Sequence, residues 1–304
     1  MPTIHQPAHH APGDRGYLID RLTQQWVRAT GRRVDLTEHP WLDGPIGDPH
    51  LIGDRWITRE AARLGGRLIP RSDGAGLLAS MQALTGDGFD PGRLQPEIVD
   101  FYEHTADWRL ELWSQWSAAA WPFGWALSML FACRLQQLTL PLRPLDVSGG
   151  IDSRVVCVVD DSGAILGAAW LRTLRRTRKT IYSGWYGTAT LPGRCQPSVR
   201  VVFPLPNGSV TVLLRPEPTG DGNLRLVSPL GRFGDDGAYL VVRDHSTTAA
   251  WVRRAPIAER FDVYLDPEGV LRCDHDVRLW RIPAIQLHYR LDRRTPDRTP
   301  QTGS

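Results

Sequence analysis

The stretch Val199–Leu214 reads VRVVFPLPNGSVTVLL. Two apolar, β-branched runs, Val199–Leu205 and Val210–Leu214, flank Pro206-Asn207-Gly208. Asn-Gly is the strongest short hairpin signal, because both residues tolerate the positive φ that tight turns need. The stretch therefore predicts two antiparallel strands. The same grammar runs through the rest of the C-terminal half. Asp160 to Gly163 separates Val155–Val159 from Ile165–Leu171. Asp221-Gly222-Asn223 precedes Leu224–Val227, and Asp266-Pro267-Glu268-Gly269 joins Phe261–Leu265 to Val270–Leu279. Further strands are expected at Thr180–Tyr186, Tyr239–Arg243, Trp251–Arg254 and Ile285–Tyr289. Short strands spaced about 8–12 residues apart mark an antiparallel meander that closes as a barrel or packs as a sandwich.

The N-terminal half reads differently. Leu18, Leu22 and Trp26 recur every fourth position and predict a short helix over 17–30. Gly31 to Gly53 is rich in Gly, Pro, Asp and His and reads as loop. Thr58 to Leu64 is a second helix, with Thr58 as N-cap and Gly65-Gly66 as its stop. Residues 70–94 hold one short helix near Leu77 to Leu84. A long helix is expected from Pro96 to about Ala119. On a helical wheel Asp100, His104, Asp107 and Glu111 form a narrow stripe, opposite a wide arc of Ile98, Phe101, Tyr102, Trp108, Leu112, Trp113 and Trp116. The uncharged run Ser114–Cys133 is long enough to cross a bilayer. Pro122 and the scattered polar residues instead favour two buried helices meeting at a Pro-Phe-Gly corner.

The fold class that follows is α+β: a Trp-rich helical N-terminal half packed on a large antiparallel β-meander, barrel or sandwich. Residues 1–53 are a flexible tail, short helix and loop, and 54–150 a helical segment. Residues 151–292 are the β barrel or sandwich, forming one domain with the helices, and 293–304 a disordered tail.

Composition narrows function. The 304 residues carry 36 basic and 33 acidic side chains, a net charge of +3 that gives no strong pull toward nucleic acid. Lys179 is the only lysine among the basic residues, a bias that a GC-rich bacterial genome produces by itself. Cys133, Cys157, Cys195 and Cys273 lack metal-ligand spacing, so free thiols and neither metal nor cofactor are expected. Met1 to Leu22 lacks the apolar stretch of a signal peptide, and the protein reads as cytoplasmic, with membrane contact the less favoured reading.

Several residues carry chemistry. His104 and Asp107 on the stripe suit a metal or an oriented general base, against the plainer reading of a solvated face. Arg109 falls inside the apolar arc, where a guanidinium needs a carboxylate partner or a ligand anion. Alternation along Leu271, Cys273, His275, Val277 and Leu279 turns His275 inward, as core residue or catalytic base. Burial there without a carboxylate partner would lower its pKa. Tyr182, Trp185, Tyr186 and Tyr289 add aromatic bodies with polar tips, and the 12 tryptophans fit an apolar cavity as well as an ordinary core. The leading expectation is a binding protein or carrier for a hydrophobic small molecule, a lipid, isoprenoid or polyketide, held by Arg109, Tyr182, Trp185, Tyr186, His275 and Tyr289. Two alternatives are an enzyme acting on such a molecule, through His275, Arg109, His104 or Asp107, and a peripheral membrane or partner-binding protein docking through Trp121–Phe131.

Overall fold

The structure is a computed structural model that describes residues 18–48, 53–69, 74–116, 150–176, 178, 180–244 and 247–294. Fourteen strands form one antiparallel sheet among these residues. They are β1 (Arg32–Asp35), β2 (Arg67–Ile69), β3 (Trp108–Trp116), β4 (Ile151–Val159), β5 (Ile165–Leu174), β6 (Thr180–Thr190) and β7 (Pro197–Leu205). After these come β8 (Gly208–Pro218), β9 (Leu224–Ser228), β10 (Gly237–Arg243), β11 (Ala249–Arg254), β12 (Ile257–Leu265), β13 (Leu271–Leu279) and β14 (Ile282–Arg293).

The main order is β2-β4-β5-β6-β7-β8-β9-β12-β13-β14-β3. The sheet forks at β8. Gly208–Leu213 pairs with β10, which leads to β11 and β1. Arg215–Pro218 pairs with β9, which leads to β12, β13, β14 and β3. The antiparallel sheet matches the sequence reading. Closure into a barrel does not, since β2 and β3, at the two ends of the order, share no ladder.

Period-two alternation sorts the side chains into two faces. Val155, Cys157, Ala168, Trp170, Tyr186, Val199, Val201, Val210, Val212 and Leu214 face a large inner core. Their neighbours Val156, Val158, Ala169, Leu171, Trp185 and Val202 face outward. There they are covered by Trp56, Ile57 and Ala61 of α2 (Arg55–Arg63). On the short branch, Tyr239, Val241 and Leu213 pack on Trp41 and Leu42. Burial on both faces explains why these strands read as near-continuous apolar runs. The predicted turn is tight: Asn207 adopts φ 60° and Leu205 pairs directly with Gly208. Gly208 is required by a close approach, since a Cβ there would meet the Val241 carbonyl oxygen of β10.

Among the described residues the helical half expected from sequence is not formed. The described residues contain three α-helices: α1 (Leu18–Thr30), α2, and α3 (Pro96–Glu103). α2 starts at Arg55, with Asp54 rather than Thr58 at its cap position, and ends as expected where Gly65 takes φ 65°. Part of the expected loop, Arg32–Asp35, is a strand paired with β11. The largest correction concerns 96–119. The helix stops at His104, a 3₁₀ turn covers Thr105–Asp107, and the chain continues as β3. Trp108, Leu110 and Leu112 alternate inward against exposed Arg109 and Trp113, and nine residue pairs join β3 to β14. That long-range ladder wins over local helical periodicity. Cys157, Cys195 and Cys273 are free thiols. Cys133, the Pro-Phe-Gly corner and Trp121–Phe131 lie outside the described residues.

Candidate functional site

Inside the curl of the sheet lies a cavity of about 230 Å³. Its wall is built from the inward-facing positions of β3, β5 to β10 and β12 to β14, with Phe101 and Tyr102 of α3. Most of the lining is Val, Leu, Ile and Phe. The polar exceptions are few: Arg172 on β5, Tyr182 and Tyr186 on β6, Glu259 on β12, Cys273 and His275 on β13, Tyr289 on β14, and Tyr102. β5 and β14 are far apart in the strand order, yet the Arg172 guanidinium carbon sits 5.8 Å from the Tyr289 ring centroid. The curl of the sheet thus brings polar groups from its two arms together.

Burial controls their chemistry. It raises the Tyr182 hydroxyl well above the usual phenol range, and the neighbouring Tyr186 adds to the effect. The two hydroxyls hydrogen-bond each other. Burial likewise raises Tyr186, and pushes Tyr289 up to about 12 against the opposing pull of the Arg172 guanidinium. The Cys273 thiol is raised by the same desolvation, with Asp274 adding to it. At neutral pH the tyrosines are therefore neutral hydrogen-bond groups and Cys273 is a protonated thiol, neither a phenolate nor a thiolate nucleophile.

Arg172 is 5 % exposed. Its Nε and Nη2 have no hydrogen-bond partner, and its guanidinium carbon lies 5.4 Å from the Trp170 ring centroid. His275 stacks on Phe261, its cross-strand partner, at 3.7 Å between ring centroids. Its Nε2 is 3.0 Å from Glu259 Oε2, and its Nδ1 is buried without a partner. His275 does face inward, but burial without a carboxylate, the ground for expecting a lowered pKa, is overturned by Glu259.

Tyr182, Tyr186, His275 and Tyr289 thus line the cavity, and the other four candidates, Trp185, Arg109, His104 and Asp107, do not. Trp185 points to the opposite face of β6 and meets Trp56 edge-on at 6.2 Å. Arg109 lies on the outer face of β3, its side chain 61 % exposed and 3.8 Å from Glu111. The stripe of Asp100, His104, Asp107 and Glu111 is divided between a helix, a turn and a strand. Asp107 accepts from the Gly74 amide at 3.0 Å, and Asp100 accepts from Trp108 Nε1. His104 Nδ1 is 3.2 Å from Asp100 without hydrogen-bond geometry. No group of three or more metal-ligating side chains gathers among the described residues.

Sequence reasoning missed Arg172 and Glu259. The parity Ala168, Trp170, Arg172 was the available signal for the first, one residue beyond the expected end of its strand. Glu259 falls two residues before the expected start of its strand.

Fold and site define an antiparallel β protein with an internal, largely apolar cavity carrying one buried guanidinium. The chain matches no family model and no solved structure. It is similar to the uncharacterized membrane protein YndJ of Bacillus subtilis (strain 168), 26% identical over 245 residues. The match covers 78% of this chain and 41% of the relative, so the chain spans about two fifths of that protein's length. The expectation of a cytoplasmic protein is corrected by this likeness, since the relative is named a membrane protein. No helix among the described residues is long and apolar enough to cross a membrane.

Proposed function

We propose that the protein binds a hydrophobic small molecule of lipid character in its internal cavity. The observation that carries this reading is the lining itself. Valine, leucine and phenylalanine from many strands surround about 230 Å³, where an ordinary core would be filled to close packing. Similarity to part of a membrane protein fits a lipid-like ligand better than a polar metabolite. The test is binding of a neutral, environment-sensitive dye such as Nile red, with and without the cavity-filling substitution Val212→Phe. Loss of dye binding at unchanged far-UV circular dichroism supports the proposal. Undiminished binding to a folded Val212→Phe protein refutes it.

A second reading is favoured by one geometry. His275 is oriented by Glu259 through Nε2 and keeps a free Nδ1, the arrangement of a general base held by a carboxylate. With Cys273 and the tyrosines protonated, His275 is the group on this wall suited to removing a proton from a bound molecule. Recovery of the native ligand chemically unchanged after prolonged incubation would overturn this reading.

A further inference from the structure

Arg172 is the side chain whose burial the fold does not account for. A cation taken out of water costs several kcal/mol unless a counter-charge or full hydrogen bonding compensates it. The aromatic faces of Trp170 and Tyr289 compensate part of that cost. They leave the N–H groups at Nε and Nη2 unsatisfied. Glu259, the only carboxylate among the described lining residues, is engaged by His275 and forms no ion pair with Arg172.

The two free nitrogens are informative as a pair. The N–H bonds of Nε and Nη2 run parallel along one edge of the guanidinium. That edge receives the two oxygens of a carboxylate in a bidentate contact. The Tyr289 hydroxyl and one hydroxyl of the hydrogen-bonded pair Tyr182–Tyr186 keep a hydrogen that can be donated to the same acceptor. Beyond this cluster the wall is apolar. A single positive charge with one free edge suits a monoanion. A dianionic phosphate would leave charge uncompensated near Glu259.

Resting on the proposed hydrophobic-ligand function, we propose that the ligand is a single-chain amphiphile with a carboxylate head, and that Arg172 is its head-group anchor. A volume of about 230 Å³ is too small for a two-chain lipid and has room for one alkyl chain. This fits a chain of medium length.

The experiment is isothermal titration calorimetry of the full chain with three probes of equal tail: decanoate, 1-decanol and decyltrimethylammonium. Decanoate is expected to bind at least tenfold more tightly than decanol, with no measurable binding of the cation. Arg172→Gln is expected to remove the preference, lowering decanoate affinity at least tenfold and leaving decanol within about twofold. The wild-type comparison stands even where that variant fails to fold. Equal affinity for decanoate and decanol in the wild type overturns the anchor and leaves the hydrophobic-ligand reading intact. A folded Arg172→Gln protein that keeps the decanoate preference does the same. Absence of binding by every probe overturns both.

Discussion

Leu213 and Leu214 are neighbours on β8 that face opposite ways, and they allow the cavity to be tested by stability alone. Leu213 is fully buried in the solid packing around Trp41 and Tyr239. Leu214 is also buried but lines the cavity. Leucine to alanine removes three carbon groups at either site, a transfer loss of about 2.4 kcal/mol at about 0.8 kcal/mol per group. At Leu213 a new void is added where atoms had been in contact on all sides, bringing the total to about 4 kcal/mol. At Leu214 one side already borders open space, so fewer dispersion contacts are lost and the total stays at about 2–3 kcal/mol. Backbone context and strand propensity are nearly shared, so the difference of about 1–2 kcal/mol reports the environment. Urea unfolding of both variants, with m unchanged, measures it. An equal or larger loss at Leu214 would show that the space beside it is filled, and the ligand-binding argument would fall with it.

Three further outcomes are expected. Burial holds the folded-state pKa of Tyr289 up to about 12, and those of Tyr182 and Tyr186 above the ordinary phenol value of about 10. Their contribution is fully present below about pH 10, declines above it and is lost as pH rises through about 12. Absorbance at 295 nm should show these tyrosines ionising only with unfolding, and early titration of all seven would contradict their burial. Exposed Cys195 should react at once with a thiol reagent, while Cys157 and Cys273 wait for unfolding. Two or fewer reactive thiols in denaturant without reductant would refute the reduced state. His275→Leu strips Glu259 of its partner, at a cost of about 1–3 kcal/mol. Glu259→Gln in the same background should recover part of it, and a chemical denaturation cycle showing no recovery would place Glu259 outside the pair.

The C-terminal strands were legible because their turns are chemically specific. Asn207-Gly208 and Asp266 to Gly269 leave little choice of backbone, and alternation then assigns faces. This is why His275 was oriented correctly and why Tyr182 and Tyr186, four apart, share a wall. The same rule separates Trp185 from them, although as an aromatic cluster the three look alike. β3 was illegible for a different reason. Apolar residues occupy so much of 96–116 that helical and strand periods fit equally well. The deciding partner, β14, lies about 170 residues away in sequence. Arg109 illustrates the penalty of a wrong period: it is buried on a helical wheel and exposed on a strand. Arg172 and Glu259 were lost to boundaries, the least certain part of any strand read from sequence.

The fork at β8 has a consequence for how the molecule opens. Beyond Leu214, β8 has no ladder to β7, and four residue pairs with β9 are its link to the longer arm. Two of those four positions, Pro216 and Pro218, have no amide hydrogen to offer. The arm β9-β12-β13-β14-β3 is broad and internally well paired, and its backbone link to β8 is narrow and donor-poor. Such a boundary separates cooperative units. Amide exchange should therefore divide the protein there, with β12 to β14 exchanging together and β4 to β8 protected on a separate, slower clock.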